Sequence, residues 1–403
     1  MLRYLLLAPV FLILAILLEG LLVRLPGNTL GSPAAGERLG AVHIHTIASD
    51  GSGTIAEIMA AARKANLSFM AITDHNVAIS AATLASDPPD FPILPGEELS
   101  TSSGHFVTLG IPPGWQKPRT DNAETLLAAA HAAGGFNILA HPFNKRIPWT
   151  DWKTSDYDGM EIWNEDENWR RDNAFELLNG LLLYTVNDQL AMVRLVQTPQ
   201  PDFAKWDELL ASRPVVGMCG TDAHAKLRLG HGMFLRFPGY VPVFLVAREH
   251  VLLGPNAGDG NPNHANSSEI LEAIEHGHSF CSLDAIYPAS GFVSRVSTGN
   301  VSGGPGDFLT WKNQGNIHVS VPPGSSQPLI EVFRDGREII DRQTRAVDEP
   351  LPGPGRYRTE VFLRQPGELG LGRWTLWIFS NPTYVTTGAN GAGLWPEAVP
   401  VPR

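Results

Sequence analysis

AVHIH (residues 41–45), FMAITDH (residues 69–75), FNILAH (residues 136–141) and VVGMCGTDAH (residues 215–224) are four versions of one pattern. Each is a short apolar run that ends on histidine or on an aspartate with a histidine close behind. Runs of this length, bounded by turn formers, read as buried strands rather than helices. Residues 91–94, 105–109 and 159–163 repeat the apolar run, which makes seven strands. Amphipathic stretches lie between them. Thr54-Ile55-Ala56-Glu57 is a capping box, after which Ile55, Ile58, Met59 and Ala62 share one face. Asp121 and Glu124 predict a second helix start, with Leu126, Leu127 and Ala130 on the apolar side. Strand alternating with helix predicts an α/β domain with a mostly parallel sheet.

The pattern holds over residues 40–289 and then stops. Residues 329–334 and 337–340 flank Asp335-Gly336, a hairpin with a type I′ turn. With further strand runs at 357–363 and 374–380, residues 290–403 read as an antiparallel β domain, a small β-sandwich. Upstream, residues 25–39 form a linker. Residues 4–23, YLLLAPVFLILAILLEGLLV, carry one charge, Glu19. At about 1.5 Å per residue this run spans a hydrocarbon core of roughly 30 Å. No A-x-A site follows promptly, so residues 1–24 read as a transmembrane anchor that leaves the α/β domain extracytoplasmic. Signal cleavage and secretion is the alternative.

Hydrophobic residues at 43% and charged residues at 18% exclude a disordered chain. Lys+Arg 30 against Asp+Glu 41 leaves a net charge of −11, which makes long nucleic acid a poor partner. Cys219 and Cys281 are too few for a disulfide framework or a four-cysteine zinc site, and make at most one bridge. Cys219 reads as a small buried hydrophobe. Glycine-rich phosphate loops are absent, and no organic cofactor is required.

The chemistry sits in the histidines. His43 and His45 lie two apart, on one side of a strand. His75, His141, Asp222 and His224 follow other strands. Barrel enzymes carry their active sites at the C-terminal strand ends, and several cations there need nitrogen and oxygen donors from several strands.

HIHTIASDG (residues 43–51), ITDHN (72–76), GEELS (96–100), GHFVTLG (104–110), AHP (140–142) and GTDAH (220–224) together resemble, in order, the polymerase and histidinol phosphatase (PHP) superfamily. The resemblance covers about residues 40–285. The N-terminal apolar segment and WIFSNPTYV (residues 377–385) are similar to a metallohydrolase branch that includes carbaryl hydrolases. The resemblance implies a distorted (β/α)7 barrel holding two or three divalent ions of zinc, manganese or iron. It assigns as ligands His43, His45, Asp50, His75, Glu98, His105, His141, Asp222 and His224, with Glu97 as the fallback for Glu98 as bridging carboxylate. It further implies hydrolysis by a metal-activated hydroxide, with Glu98, Asp222 and His224 catalytic. A small phosphoester is the expected substrate. A carbamate or carboxyl ester is the alternative, and a non-enzymatic metal- or carbohydrate-binding module the third reading.

Asp74 is expected to hold an imidazole tautomer. Glu161 and Asn164 either line the mouth or are structural. His131 reads as structural, and His231 as a candidate substrate contact. Lys145, Arg146, Lys226 and Arg228 follow ligand loops, where they grip a phosphate or stay solvated. Trp149, Trp152, Trp163 and Trp169 cluster where an aromatic leaving group would sit.

Overall fold

The computed structural model describes residues 2–25, 33–84, 91–258, 261, 264–366 and 372–388, with side chains of the first helix from Val10 onward. Helix α1 (Leu2–Leu22) is followed by β1 (Glu37–Ile44), α2 (Ile55–Lys64), β2 (Phe69–Ile72), α3 (Ala81–Leu84), β3 (Ile93–Thr101), β4 (Gly104–Leu109), α4 (Ala123–Ala132), β5 (Phe136–Leu139) and β6 (Gly159–Asn164). Then come α5 (Glu165–Arg170), α6 (Ala174–Tyr184), α7 (Asp188–Arg194), α8 (Gln200–Leu210) and β7 (Val216–Ala223). All seven expected strands are present. Each pairs with the next, and β1 pairs with β7, so they close into a barrel. The pairings are parallel except β3–β4 and β4–β5. One reversed strand, β4, is the distortion in this (β/α)7 barrel.

Local signals account for the helices. Thr54 caps α2, its side chain accepting from Glu57 N while Glu57 Oε2 accepts from Thr54 N at 2.8 Å. At α4 the cap is Asn122 and not Asp121: the carboxamide accepts from Thr125 N at 2.8 Å. The helix begins one residue later than the carboxylate implied, because Asn122 is the side chain that reaches an orphan N–H.

Beyond the barrel lie β8 (Leu227–Gly230), β9 (Met233–Leu235), α9 (Tyr240–Val246), β10 (Ala247–Leu252), α10 (Ser267–Glu275) and β11 (Ser279–Leu283). Strand β1 forks. Its first half, Glu37 to Gly40, pairs antiparallel with β10, while Val42 and Ile44 pair with β7. From β10 the sheet continues through β11 to β20 (Gly372–Ser380) of the C-terminal region, so barrel and β region share one hydrogen-bonded sheet. That seam buries charge: His250 lies between Glu37 and Asp284, and Arg248 Nη1 donates to Asp284 Oδ2 at 3.1 Å.

In the C-terminal region β12 (Val293–Thr298), β13 (Val301–Gly303), β15 (Gly315–Ser320) and β18 (Ala346–Pro350) form a separate four-stranded sheet. β14 (Phe308–Thr310), β16 (Leu329–Arg334), β17 (Arg337–Gln343), β19 (Gly355–Pro366) and β21 (Thr383–Thr386) extend the main one. Asp335 and Gly336 take φ of 54° and 76°, the two positive values a type I′ hairpin requires. Pairing is antiparallel save for β14–β21, which is parallel.

Helix α1 packs on α6. Gly20 admits the close approach, since a Cβ there would meet Val186 Cγ2 at 2.4 Å. Asn187 donates to the Gly20 and Val23 carbonyls, and Arg194 pairs with Glu19. Among the described residues no helix is long and apolar enough to cross a membrane; the apolar run 4–23 begins before the described side chains.

Cys219 is not a lone buried hydrophobe. It is bonded to Cys281, tying β7 to β11 across β10, with Cα atoms 5.7 Å apart and a separation of 62 positions along the chain. The pairing is nonlocal, so only the register of β7, β10 and β11 reveals it. Cross-linking restricts the unfolded chain, and a loop of this size is worth about 4 kcal/mol in the chain-entropy account. The paired substitution Cys219→Ser with Cys281→Ser should lower unfolding stability by about that much, read from the urea midpoint. An unchanged midpoint would mean the bridge adds nothing to stability.

Candidate metal centre

Glu98 lies fully buried on β3 with histidines on both of its oxygens. Oε2 stands 3.2 Å from His43 Nε2, 3.2 Å from His45 Nε2 and 3.0 Å from His75 Nδ1. Oε1 stands 2.8 Å from His105 Nδ1 and 3.1 Å from His141 Nε2. Five imidazoles from four places in the barrel, two of them from β1 and its end, thus face one carboxylate. β4 runs against its neighbours, so its first residues, His105 among them, reach the end of the barrel where β1, β2, β5 and β7 finish. Asp222 Oδ1 adds contacts at 3.5 Å to His43, 3.3 Å to His45 and 3.3 Å to His224. Asp50 Oδ1 lies 3.0 Å from His224 Nε2 and 3.8 Å from both His45 Nδ1 and His75 Nε2.

Three groups of ligand atoms lie within 4.8 Å of one another: His43, His45, Glu98 and Asp222; His45, Asp50, His75 and His224; and His75, Glu98 and His105. His141 joins the last through Glu98. Many of these atoms are buried yet make no hydrogen bond, namely His43 Nε2, both His45 nitrogens, Asp50 Oδ1, His75 Nδ1, Glu98 Oε2 and His141 Nδ1. Buried polar atoms left orphaned are costly, and these are imidazole nitrogens and carboxylate oxygens aimed at common points. That donor set fits divalent cations.

Glu97, the neighbouring carboxylate, has no histidine contact of this kind. Burial raises its pKa to about 7. Within the cluster, burial opposes ionisation of Glu98, but the surrounding imidazoles, His43 first, hold it well below the usual carboxylate range. Burial lowers His75 to about 4. At His141 burial also pulls down, and Glu98 overcomes it, raising the ring to about 9. Protons and cations compete for these same lone pairs.

Backbone geometry aims the ligands. His43, His141 and Asp222 take φ of 68°, 30° and 46°. Non-glycine residues seldom occupy that region, and such strain gathers at functional sites. His43 also sits where the register of β1 shifts against both β2 and β7, a bulge that re-aims a side chain. Glu161 does not line the mouth. It lies buried beneath the cluster, with Oε1 2.6 Å from His43 Nδ1, while Oε2 accepts from His141 N and Asn164 Nδ2, each at 2.8 Å. Gly220 leaves it room, because a Cβ there would stand 1.9 Å from Glu161 Oε1. Asp74 holds no imidazole either: it accepts from Thr46 N at 2.8 Å, Thr46 Oγ1 at 2.7 Å and Ser49 Oγ at 2.5 Å, fixing the turn that carries the chain from His45 to Asp50.

Above the cluster opens a cleft of about 760 Å³. Lys145, Arg146, Lys226 and Arg228 all line it, although Arg228 is committed to Asp50 Oδ2 at 3.1 Å. Of the four tryptophans only Trp169 reaches it; Trp149 and Trp163 are core residues and Trp152 packs on Phe143. His231 is at the β8–β9 turn, outside the lining, and His131 pairs with Asp158 away from the site. Helix α5 also lines the cleft, through Asp166, Glu167 and Arg170, with Arg171 just past its end, residues that the motif reading passed over. Their position directly after the sixth strand was the available signal, since barrel loops there build active sites.

No family model matches the chain, and no curated protein matches it. Among solved structures it is similar to a two-domain protein from Bacteroides vulgatus containing a predicted PHP-like metal-dependent phosphoesterase, at 10% identity and TM-score 0.40, over 86% of this chain and 98% of that one. It is also similar to an amidohydrolase from Chromobacterium violaceum, at 16% identity and TM-score 0.32, over 46% of this chain and 87% of that one. These overlaps are too loose to transfer a substrate.

Changing Glu98 to Ala should release more than one ion, because its two oxygens face different histidines; native mass spectrometry of the intact chain reads the stoichiometry. Glu161→Gln should weaken metal retention by about 10–100-fold while leaving the fold intact, the range for groups that orient ligands. Full metal content in both variants would remove these two carboxylates from the site.

Proposed function

We propose that this chain is a metal-dependent hydrolase acting on a phosphoester, tethered to a membrane by residues 4–23 with its catalytic domain outside the cytoplasm. The observation that carries the hydrolase reading is the two-sided Glu98, shared by histidines at the floor of an open cleft. Two or three divalent ions held by the nine named side chains would supply a lowered water pKa and positive charge against a phosphoryl oxygen. The chain's own residues do the rest. Glu161 fixes the His43 ring and the His141 backbone, and Asp74 fixes the loop to Asp50. Lys145, Arg146 and Lys226, at the cleft wall, attract and orient an anionic group. Arg228 serves Asp50 first, so it positions a ligand.

A carbamate or carboxyl ester hydrolase is the second reading. Trp169 favours it as the indole on the cleft wall, a mostly buried ring with the Arg170 guanidinium 4.3 Å from its centroid, whose accessible edge would meet an aromatic leaving group. The two readings separate by kcat/KM for nitrophenyl phosphate and for an aryl carbamate on the same metal-loaded protein. The phosphate should be the better substrate. Carbamate turnover higher by a factor of about a hundred, some 2.7 kcal/mol in barrier, would reverse the order.

The location rests on two features. Residues 4–23 are apolar with one charge, and the Cys219–Cys281 bridge suits an oxidising compartment. Protease added to spheroplasts should digest the catalytic domain before lysis. A chain protected until lysis is cytoplasmic, and the location fails.

A further inference from the structure

We propose that the mouth of the catalytic cleft rests on a lipid bilayer, so that the phosphoester it takes is a headgroup borne by the membrane. The inference builds on the phosphoesterase reading and narrows its substrate to an amphiphile. Two apolar ridges flank the cleft. One is α6, whose Leu177 lines the cleft while Phe175, Leu178 and Leu181 are 56%, 56% and 42% exposed. The other is the β8–β9 hairpin, whose Leu227 lines the cleft while Leu229, Met233, Phe234 and Leu235 are 43% to 60% exposed. The two are held on the same side: Phe237, just past β9, packs on Tyr184 at the end of α6, with ring centroids 4.6 Å apart. Exposed apolar surface this concentrated marks an interaction site.

What covers it follows from what adjoins it. Helix α1 packs on α6 through Gly20, so its own exposed apolar side chains, Phe11, Leu14, Leu18 and Leu22 among them, continue the α6 ridge. Glu19 is neutralised by Arg194. Between the ridges stand Lys145, Arg146 and Lys226, none with a carboxylate within 4 Å among the described residues, on a chain of net charge −11. Apolar ridges beside these three cations, at the mouth of a cleft whose wall also carries Asp166 and Glu167, complement the acyl and headgroup layers of a membrane surface. The Lys226 ammonium lies 5.2 Å over the Phe234 ring, charge and apolar tip side by side at the rim.

The test uses the full chain in phosphatidylcholine–phosphatidylglycerol vesicles. Both native cysteines are bonded to each other, so a single new thiol accepts a nitrobenzoxadiazole label at Phe175→Cys, Leu229→Cys or, as control on β17, Arg342→Cys. Nitroxide-bearing lipid should quench the first two labels at least threefold more than the third. Equal quenching at all three sites, or none, overturns the surface; none is also the outcome if a protein covers it. The double variant Phe175→Gln with Met233→Gln should lose at least tenfold in turnover of phosphatidic acid in vesicles and stay within twofold on nitrophenyl phosphate. Equal loss on both substrates overturns the proposal. If the wild-type chain turns over neither phosphoester, the phosphoesterase reading fails, and the quenching pattern alone decides the surface.

Discussion

A fully buried carboxylate faced by five imidazoles is the constraint on which this structure turns. Burying the charge of Glu98 is costly unless each oxygen finds a partner. Here the partners come from β1, the turn after β2, β4 and the end of β5, and Asp222 at the end of β7 meets the same rings. The two oxygens face different elements, Oε1 toward β4 and the end of β5 and Oε2 toward β1 and the turn after β2, so the cluster is assembled only where the barrel brings these elements together. The orphaned nitrogens and oxygens that closure leaves are what a cation would satisfy.

The surrounding architecture serves that closure. Forking β1 lets its first half pair with β10 while its second half seals the barrel against β7. The bulge at the fork turns His43 onto Glu161 and Glu98. Strand β10 carries Glu249 between the two bridged cysteines, accepting from Cys219 N at 3.0 Å, so β7 and β11 are held together covalently and by hydrogen bonds. β7 ends on Asp222 and His224. A constraint on β7 is a constraint on these candidate ligands.

Floor and rim have different origins. The floor is built by strand ends, rigid and polar. The rim is built by α5, α6 and the β8–β9 hairpin, elements inserted between or after strands, and it mixes cations with exposed apolar residues. In barrels generally, strand ends carry the chemistry while the loops over a constant core vary with the substrate.

How much of this was legible beforehand depends on range. Short-range patterns sufficed for the seven strands, the cap at Thr54, the hairpin at Asp335-Gly336 and the strand-end residues His43, His45, His75, His141, Asp222 and His224, whereas Asp50, Glu98 and His105 were assigned through the family resemblance. Other assignments needed partners far away along the chain. Glu161 reaches His43 across 118 residues, and Cys219 reaches Cys281 across 62. Whether Trp169 lines a cleft while Trp163, six residues earlier, fills the core depends on which way β6 feeds into α5. Periodicity tells which face of its own strand a side chain takes. Which other face it will meet is decided by register and closure, and those exist only once the barrel has formed.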